Sequence, residues 1–195
     1  MSISHRRLRE SLEPLAGSLK KIRLSRQTPC APSLNGYVLG MSDQWLLLWQ
    51  FHDFYPDGFT IVRMDGITSY RCGEYEEFWT NMLRQENVAT ELPSMAIDLS
   101  STKSVLRNLQ KTDQNFIVES EAPDKDIEDF YLGRATRIQN TQVKFASFDA
   151  LGQWDTKLQT IEFGEITRLQ FDTPYTNCFS RYTDGKCPFP IRYAK

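Results

Sequence analysis

The sequence predicts a mainly β protein of the α+β class: two tandem small antiparallel barrels, each preceded by a helix, with one extra amphipathic helix after the first. Three observations carry that expectation. Short runs of alternating apolar residues are separated by turn residues, as in a meander of antiparallel strands. The apolar pattern of the first half returns in the second at an offset of 99. A few segments show helical spacing instead, and they fall at matching places in the two halves.

Residues 4–15 place Leu8, Leu12 and Leu15 on one helical face, with Ser2 or Ser4 as N-cap. A strand pattern follows over residues 19–24. QWLLLWQF (44–51) and DGFTIVRMDGITSYR (57–71) read as further strands, parted by turn residues at Ser42-Asp43 and Pro56-Asp57-Gly58. Residues 74–86 set Tyr75, Phe78, Trp79, Met82 and Leu83 at i, i+3, i+4, i+7 and i+8, the stripe of an amphipathic helix. Residues 87–98, with Pro93, form the expected junction. Beyond it Ser100 or Ser101 caps a helix carrying Val105, Leu106 and Leu109, and a strand follows over 115–120. PYTNCFSRY (174–182) reads as too short and too turn-prone to match the extra helix of the first half. Phe189, Ile191 and Tyr193 alternate, so the tail is expected to drape along a strand. The expected boundaries are 1–90, 98–180 and a tail at 181–195.

The echo is specific enough to align. At the offset of 99, Phe59 meets Leu158, Val62 meets Ile161, Ile67 meets Ile166, Thr68 meets Thr167 and Tyr70 meets Leu169. Further upstream, at an offset of 97, Gly36 meets Gly133, Leu46 meets Val143, Leu48 meets Phe145 and Phe51 meets Phe148. The extra residues fall where HDFYPDG is replaced by the longer DALGQWDTK, an expected loop tip. Gly36 and Gly133 sit where a strongly bent strand needs a residue without a side chain. A helix followed by a meander with a bent, glycine-bearing second strand resembles the Sm-like or SH3-like small-barrel architecture. That resemblance implies a fold and leaves the function open.

The two halves differ most in the strand 44–51. There Leu46 and Leu48 are expected to point inward while Trp45, Leu47 and Trp49 point out; the matching outward residues of the second half are Gln142, Lys144 and Ala146. Bare, that face would expose an apolar patch of about a few hundred Å², the size at which soluble proteins associate. The helix at 74–86 is one candidate cover. The expected function is therefore a non-enzymatic binding or interaction module, with Trp45, Leu47, Trp49, Phe78 and Trp79 as the contact surface for a protein partner or a second copy.

A net charge of −2 argues against a dedicated nucleic-acid binder. The charge is uneven, however, and the alternative is a nucleic-acid-associated barrel that contacts a polyanion through Arg6, Arg7, Arg9, Lys20 and Lys21. A third reading is a small-molecule sensor with a pocket between the barrels. Residues 119–129 are acidic, the expected solvated face or charged contact surface. Enzyme signatures are absent: the only neighbouring acid–imidazole pair is His52-Asp53, and Glu76-Glu77 read as the polar face of their helix. Two histidines without ligand spacing and four scattered cysteines (Cys30, Cys72, Cys178, Cys187) suggest neither metal nor cofactor and fit reduced thiols. No apolar run is long enough for a membrane span and no leader pattern opens the chain, so a cytoplasmic location is expected.

Overall fold

The computed structural model describes residues 3–27, 33–121 and 129–193. Cys30 and the acidic residues Asp124, Asp126 and Glu128 lie outside them. The chain divides into two compact units, Met1–Leu99 and Ser100–Lys195.

In the first unit, α1 (Ile3–Leu12) runs into a short 3-10 helix, Glu13–Leu15, entered through Pro14. Strands β1 (Lys21–Arg26), β2 (Leu34–Met41), β3 (Trp45–His52), β4 (Tyr55–Arg63) and β5 (Ile67–Arg71) follow, and then α2 (Glu74–Gln85). The strands pair antiparallel in the order β5-β1-β2-β3-β4. The class is α+β, as expected, but the sheet is open. The closed barrel expected from the meander is not formed, because the five residues of β5 are taken up along β1 and do not also pair with β4.

One face of this sheet carries Ile22, Leu24, Val38, Leu46, Leu48 and Val62, packed against Leu12 at the end of α1 and Leu15 of the 3-10 helix. Tyr37, Phe51 and the half-buried Trp49 are covered by Leu83 of α2 and by Ala89 beyond it. Trp45 and Leu47 are 0% and 2% exposed. They are core, which corrects the expectation of an outward interaction face at those two positions: alternation says which residues share a face, and here both faces are covered.

The second unit contains α3 (Thr102–Lys111), strands β6 (Phe116–Ser120), β7 (Asp129–Ile138), β8 (Gln142–Ser147), β9 (Gln159–Glu162) and β10 (Arg168–Phe171), and α4 (Pro174–Arg181). Its order, β10-β6-β7-β8-β9, is that of the first unit, and it too is open. Ser101 caps α3 by accepting a hydrogen bond from the Ser104 N–H at 3.1 Å. The segment expected to be turn-like is α4. Thr173 and Thr176 exchange side-chain-to-backbone bonds, the Thr176 N–H donating at 2.9 Å and the Thr173 N–H at 3.0 Å, with Pro174 in the first turn. Residues that suggest a turn are here the cap that starts a helix. The tail touches β7 once, where the Arg192 N–H donates to the Thr136 carbonyl at 2.7 Å. Glu119, expected on a solvated acidic run, is buried in a bidentate pair with Arg168, and Glu121 lies 3.7 Å from the same guanidinium.

The strand registers of the two units can be set side by side. Ile22 pairs with Gly36 and Phe116 with Gly133; Val62 pairs with Leu46 and Ile161 with Val143. A Cβ built at Gly36 would collide with the Trp49 carbonyl oxygen, and one at Gly133 with that of Ala146, both well inside the 3.0 Å that real Cβ atoms respect. These glycines admit a neighbouring backbone rather than an unusual dihedral. Each unit also has a register break shortly after its glycine, between Val38 and Gly40 and between Ala135 and Arg137.

Gly36→Ala should therefore cost more than about 3 kcal/mol, because the obstacle is backbone. Gly66→Ala, where an added Cβ meets nothing within 4 Å, should stay within about 0.5 kcal/mol. Chemical denaturation of the two variants side by side checks both; equal stabilities would show that β2 and β3 can part without loss.

Candidate functional site

The most chemically crowded surface among the described residues belongs to the first unit, where β1, β5, the β3–β4 turn and the start of α2 converge. The turn comes first. His52 pairs with Tyr55, so the hairpin loop is Asp53-Phe54, with Asp53 in the left-handed region at φ 52°. An aspartate tolerates that region better than most residues. Pro56-Asp57-Gly58, expected as the turn, instead falls in a register break opposite Trp49 and Phe51. This carries Phe54 to Trp79 of α2, where the rings stack at 4.7 Å with 3° between their planes.

Lys21 adds a cation to the stack, its Nζ 4.6 Å from the centre of the Trp79 ring. The Lys21 N–H donates to the Thr80 hydroxyl at 3.3 Å, which fixes the start of β1 beneath α2. Lys21 is only 4% exposed. Burial lowers its pKa, Glu76 opposes that shift, and Arg23 and Arg71 reinforce it.

Arg23 and Arg71 are direct cross-strand partners on β1 and β5. Like charges in that position repel unless an anion lies between or beside them. Glu76 supplies one carboxylate: Arg71 Nε donates to it at 2.7 Å, and the Gly73 N–H at 3.0 Å. Arg71 also lies over the Tyr75 ring at 5.2 Å. Arg23 is exposed and has no acidic partner among the described residues. A recess of about 170 Å³ is lined by three cations, Lys21, Arg23 and Arg71, by the carboxylates Asp53 and Glu76, and by Asn35, Tyr75 and Trp79.

α2 turns a different face inward from the one its sequence suggests. Glu76, Thr80 and Leu83 are buried, while Tyr75 and Phe78 are 71% and 63% exposed. Glu76, expected on the polar face of its helix, is 4% exposed and anchors the helix. Burial by itself would push its carboxyl up, but the Gly73 N–H and the Arg71 guanidinium outweigh that and hold it below the usual carboxylate range.

Of the residues expected as a contact surface, Phe78 and Trp79 lie on α2 at this site, Trp49 is half-buried among Tyr37 and Phe51, and Trp45 and Leu47 are core. The basic set is divided. Arg6, Arg7 and Arg9 are on α1, Arg9 bonding Asp43 at 2.9 Å, whereas Lys20 and Lys21 lie at the start of β1. Arg71 and Phe54 are not among the expected contact residues; Arg23 belongs to the basic alternation of KKIRLSR, and Tyr75 is expected only on the amphipathic stripe of its helix. His52 and Asp53 are both well exposed, with 3.9 Å between Nδ1 and the carboxylate. Among the described residues no three acid, histidine or cysteine side chains gather as a metal site, and no helix is long and apolar enough to cross a membrane. The chain matches no protein-family model, no curated protein and no solved structure.

The depressed Glu76 pKa has a signed consequence. A carboxyl whose folded-state pKa lies below its unfolded value stabilises fully above the ordinary range near about 4.3, and the contribution fades as pH falls through the folded-state value. Acidification below pH about 4 should therefore loosen α2, read as a change in Trp79 fluorescence. Glu76→Gln should lower stability at neutral pH by about 1–2 kcal/mol and flatten that part of the acid profile. An unchanged profile in the variant would place the acid sensitivity elsewhere.

Proposed function

We propose that this is a non-enzymatic binding protein whose first unit takes single-stranded nucleic acid on the face built from β1, β5, the β3–β4 turn and α2. The observation that carries this reading is the Phe54–Trp79–Lys21 stack, an aromatic pile ending in a cation, set beside Arg23, Arg71 and Tyr75. Every base offers a flat π-face, and stacking on aromatic side chains next to a basic groove binds single strands with little sequence preference. The unpaired Arg23 supplies a phosphate contact. The overall charge of −2 does not oppose it, because at physiological salt a surface charge acts over only about 8 Å.

The contact surface read from the sequence thus contracts to Phe78 and Trp79 and gains Phe54, Tyr55 and Tyr75. The basic set contracts to Lys20 and Lys21 and gains Arg23 and Arg71. The architecture is compatible with this role. The two units read as copies of one ancestral small-barrel unit similar to the Sm-like and SH3-like architecture. Three features support duplication: the common strand order, the paired glycines, and a polar triplet at matching positions. That triplet is Gln50, Asp57 and Thr60 in the first unit and Ser147, Asp155 and Gln159 in the second.

Fluorescence anisotropy with a labelled single strand of about 12 nucleotides tests the proposal. Saturable binding is expected, with a log–log salt slope of about −2 for three phosphate contacts. Phe54→Ala and Arg23→Glu should each weaken it by about tenfold, while Arg6→Glu with Arg7→Glu leaves it unchanged. No saturable binding at low salt sinks the proposal; loss confined to the Arg6/Arg7 variant moves the contact to α1.

A further inference from the structure

The second unit holds a separate recess that the reading above leaves unused. It lies where β7, the end of β8, the residues leading to β9, and α4 meet, and it has a volume of about 430 Å³. That is within the range of small-molecule sites, about 300–1,000 Å³. Its existence follows from helix length. In the first unit α2, with 12 residues, lays Leu83 onto Tyr37 and Phe51. α4 has only eight, and its Phe179 packs beside Phe148 and Leu132 without filling the space above them.

The walls are aromatic. Phe130 and Tyr131 come from β7, Phe148 follows β8, and Tyr175 and Phe179 project from α4. Tyr175 meets Phe130 edge-on at 6.2 Å and Phe179 at 4.7 Å with a 41° tilt, so the rings form a corner rather than a flat stack. Phe148 is braced by Trp154 at 5.0 Å.

The lining also carries an oriented carboxylate. Asp155 Oδ2 accepts from the Ser147 hydroxyl at 2.5 Å and weakly from the Gln159 amide at 3.4 Å, and the Asp155 N–H donates to the Ser147 carbonyl at 2.9 Å. Its Oδ1 accepts no hydrogen bond from the described residues. Asp149, also on the wall, is committed to its turn, accepting from the Leu151 and Gln153 N–H groups at 2.9 Å each. Among the described residues no lysine or arginine lines the recess. The equivalent carboxylate of the first unit, Asp57, is instead held by the Gln50 amide at 2.8 Å.

We propose that this recess binds an organic ammonium group, quaternary or fully alkylated, with the aromatic rings around the cation and Asp155 as its counter-charge. Ring faces attract a large, weakly hydrated cation within about 6 Å of their centres. A carboxylate at the base discriminates against the neutral molecule of the same shape. A metal ion does not suit the site, since rings are not ligands and the described residues gather no metal-binding group there. An apolar ligand would leave Asp155 desolvated beside it without a charge partner.

The test is titration of the whole chain with choline and, in parallel, with its neutral isostere 3,3-dimethylbutan-1-ol, followed by saturation-transfer NMR and calorimetry. Choline should bind saturably, and the neutral isostere should bind more weakly by about three- to thirtyfold. Asp155→Asn keeps an acceptor for Ser147 and should cost choline a similar factor while leaving the isostere unchanged. Tyr175→Leu, at a half-exposed position where folding is not at stake, should weaken choline and show an unaltered unfolding curve. Equal binding of choline and the isostere, insensitivity to both substitutions, or no saturation by choline each overturns the proposal. Because every readout lies in the second unit, failure here is independent of nucleic-acid binding by the first.

Discussion

The contact on which the first unit depends is backbone against backbone, at Gly36 and the Trp49 carbonyl. Any side chain at Gly36 would hold β2 and β3 apart. Their close approach, followed by the register break at Val38/Gly40, sets how the strand turns beneath the helices. It brings Val38, Leu46 and Leu48 to α1, and Tyr37 and Phe51 to α2. The same contact recurs between Gly133 and Ala146, in a sheet whose side chains are largely different. What the two units share is therefore mostly strand geometry, which leaves their surfaces free to diverge.

That divergence is where the chemistry lies. In the first unit Thr80 and Glu76 root α2 onto β1 and β5, and the helix consequently presents its rings outward. Glu76 is the pivotal side chain: one carboxylate satisfies the first turn of α2 and neutralises half of an arginine pair. In the second unit the Arg23/Arg71 positions carry Ile117 and Gln170, and no basic face forms. The shorter α4 instead leaves an aromatic recess over an aspartate. The same strand order thus carries a cluster of stacked rings and cations in one unit and an aromatic recess beside an aspartate in the other.

Much of the fold was legible in the sequence. The order helix, strands, helix in the first half and the Ser101 cap follow from periodicity and turn chemistry acting over a few residues. Two local inferences failed for local reasons. PYTNCFSRY has a composition shared by turns and helix N-termini, and reciprocal capping by Thr173 and Thr176 decides between them. The meander implied closure, which depends on whether a short strand can pair on two sides, and periodicity carries no information about that.

The site was much less legible. The aromatic stripe of residues 75–82 and the basic run around Lys21 are visible in the sequence, but their meeting is not. Sequence alone determined which residues alternate, that the segments around Leu8, Phe78 and Leu106 are helical, and which glycines must stay bare, because those depend on neighbours along the chain and on backbone sterics. Only the tertiary structure decided that Trp45 is core, that Glu76 is buried against Arg71, and that Phe54, Trp79 and Lys21 stack. Each of those is a contact between elements far apart in the chain, fixed by strand register and helix rotation, and two rotations of α2 with the same amphipathic pattern would have exposed different chemistry.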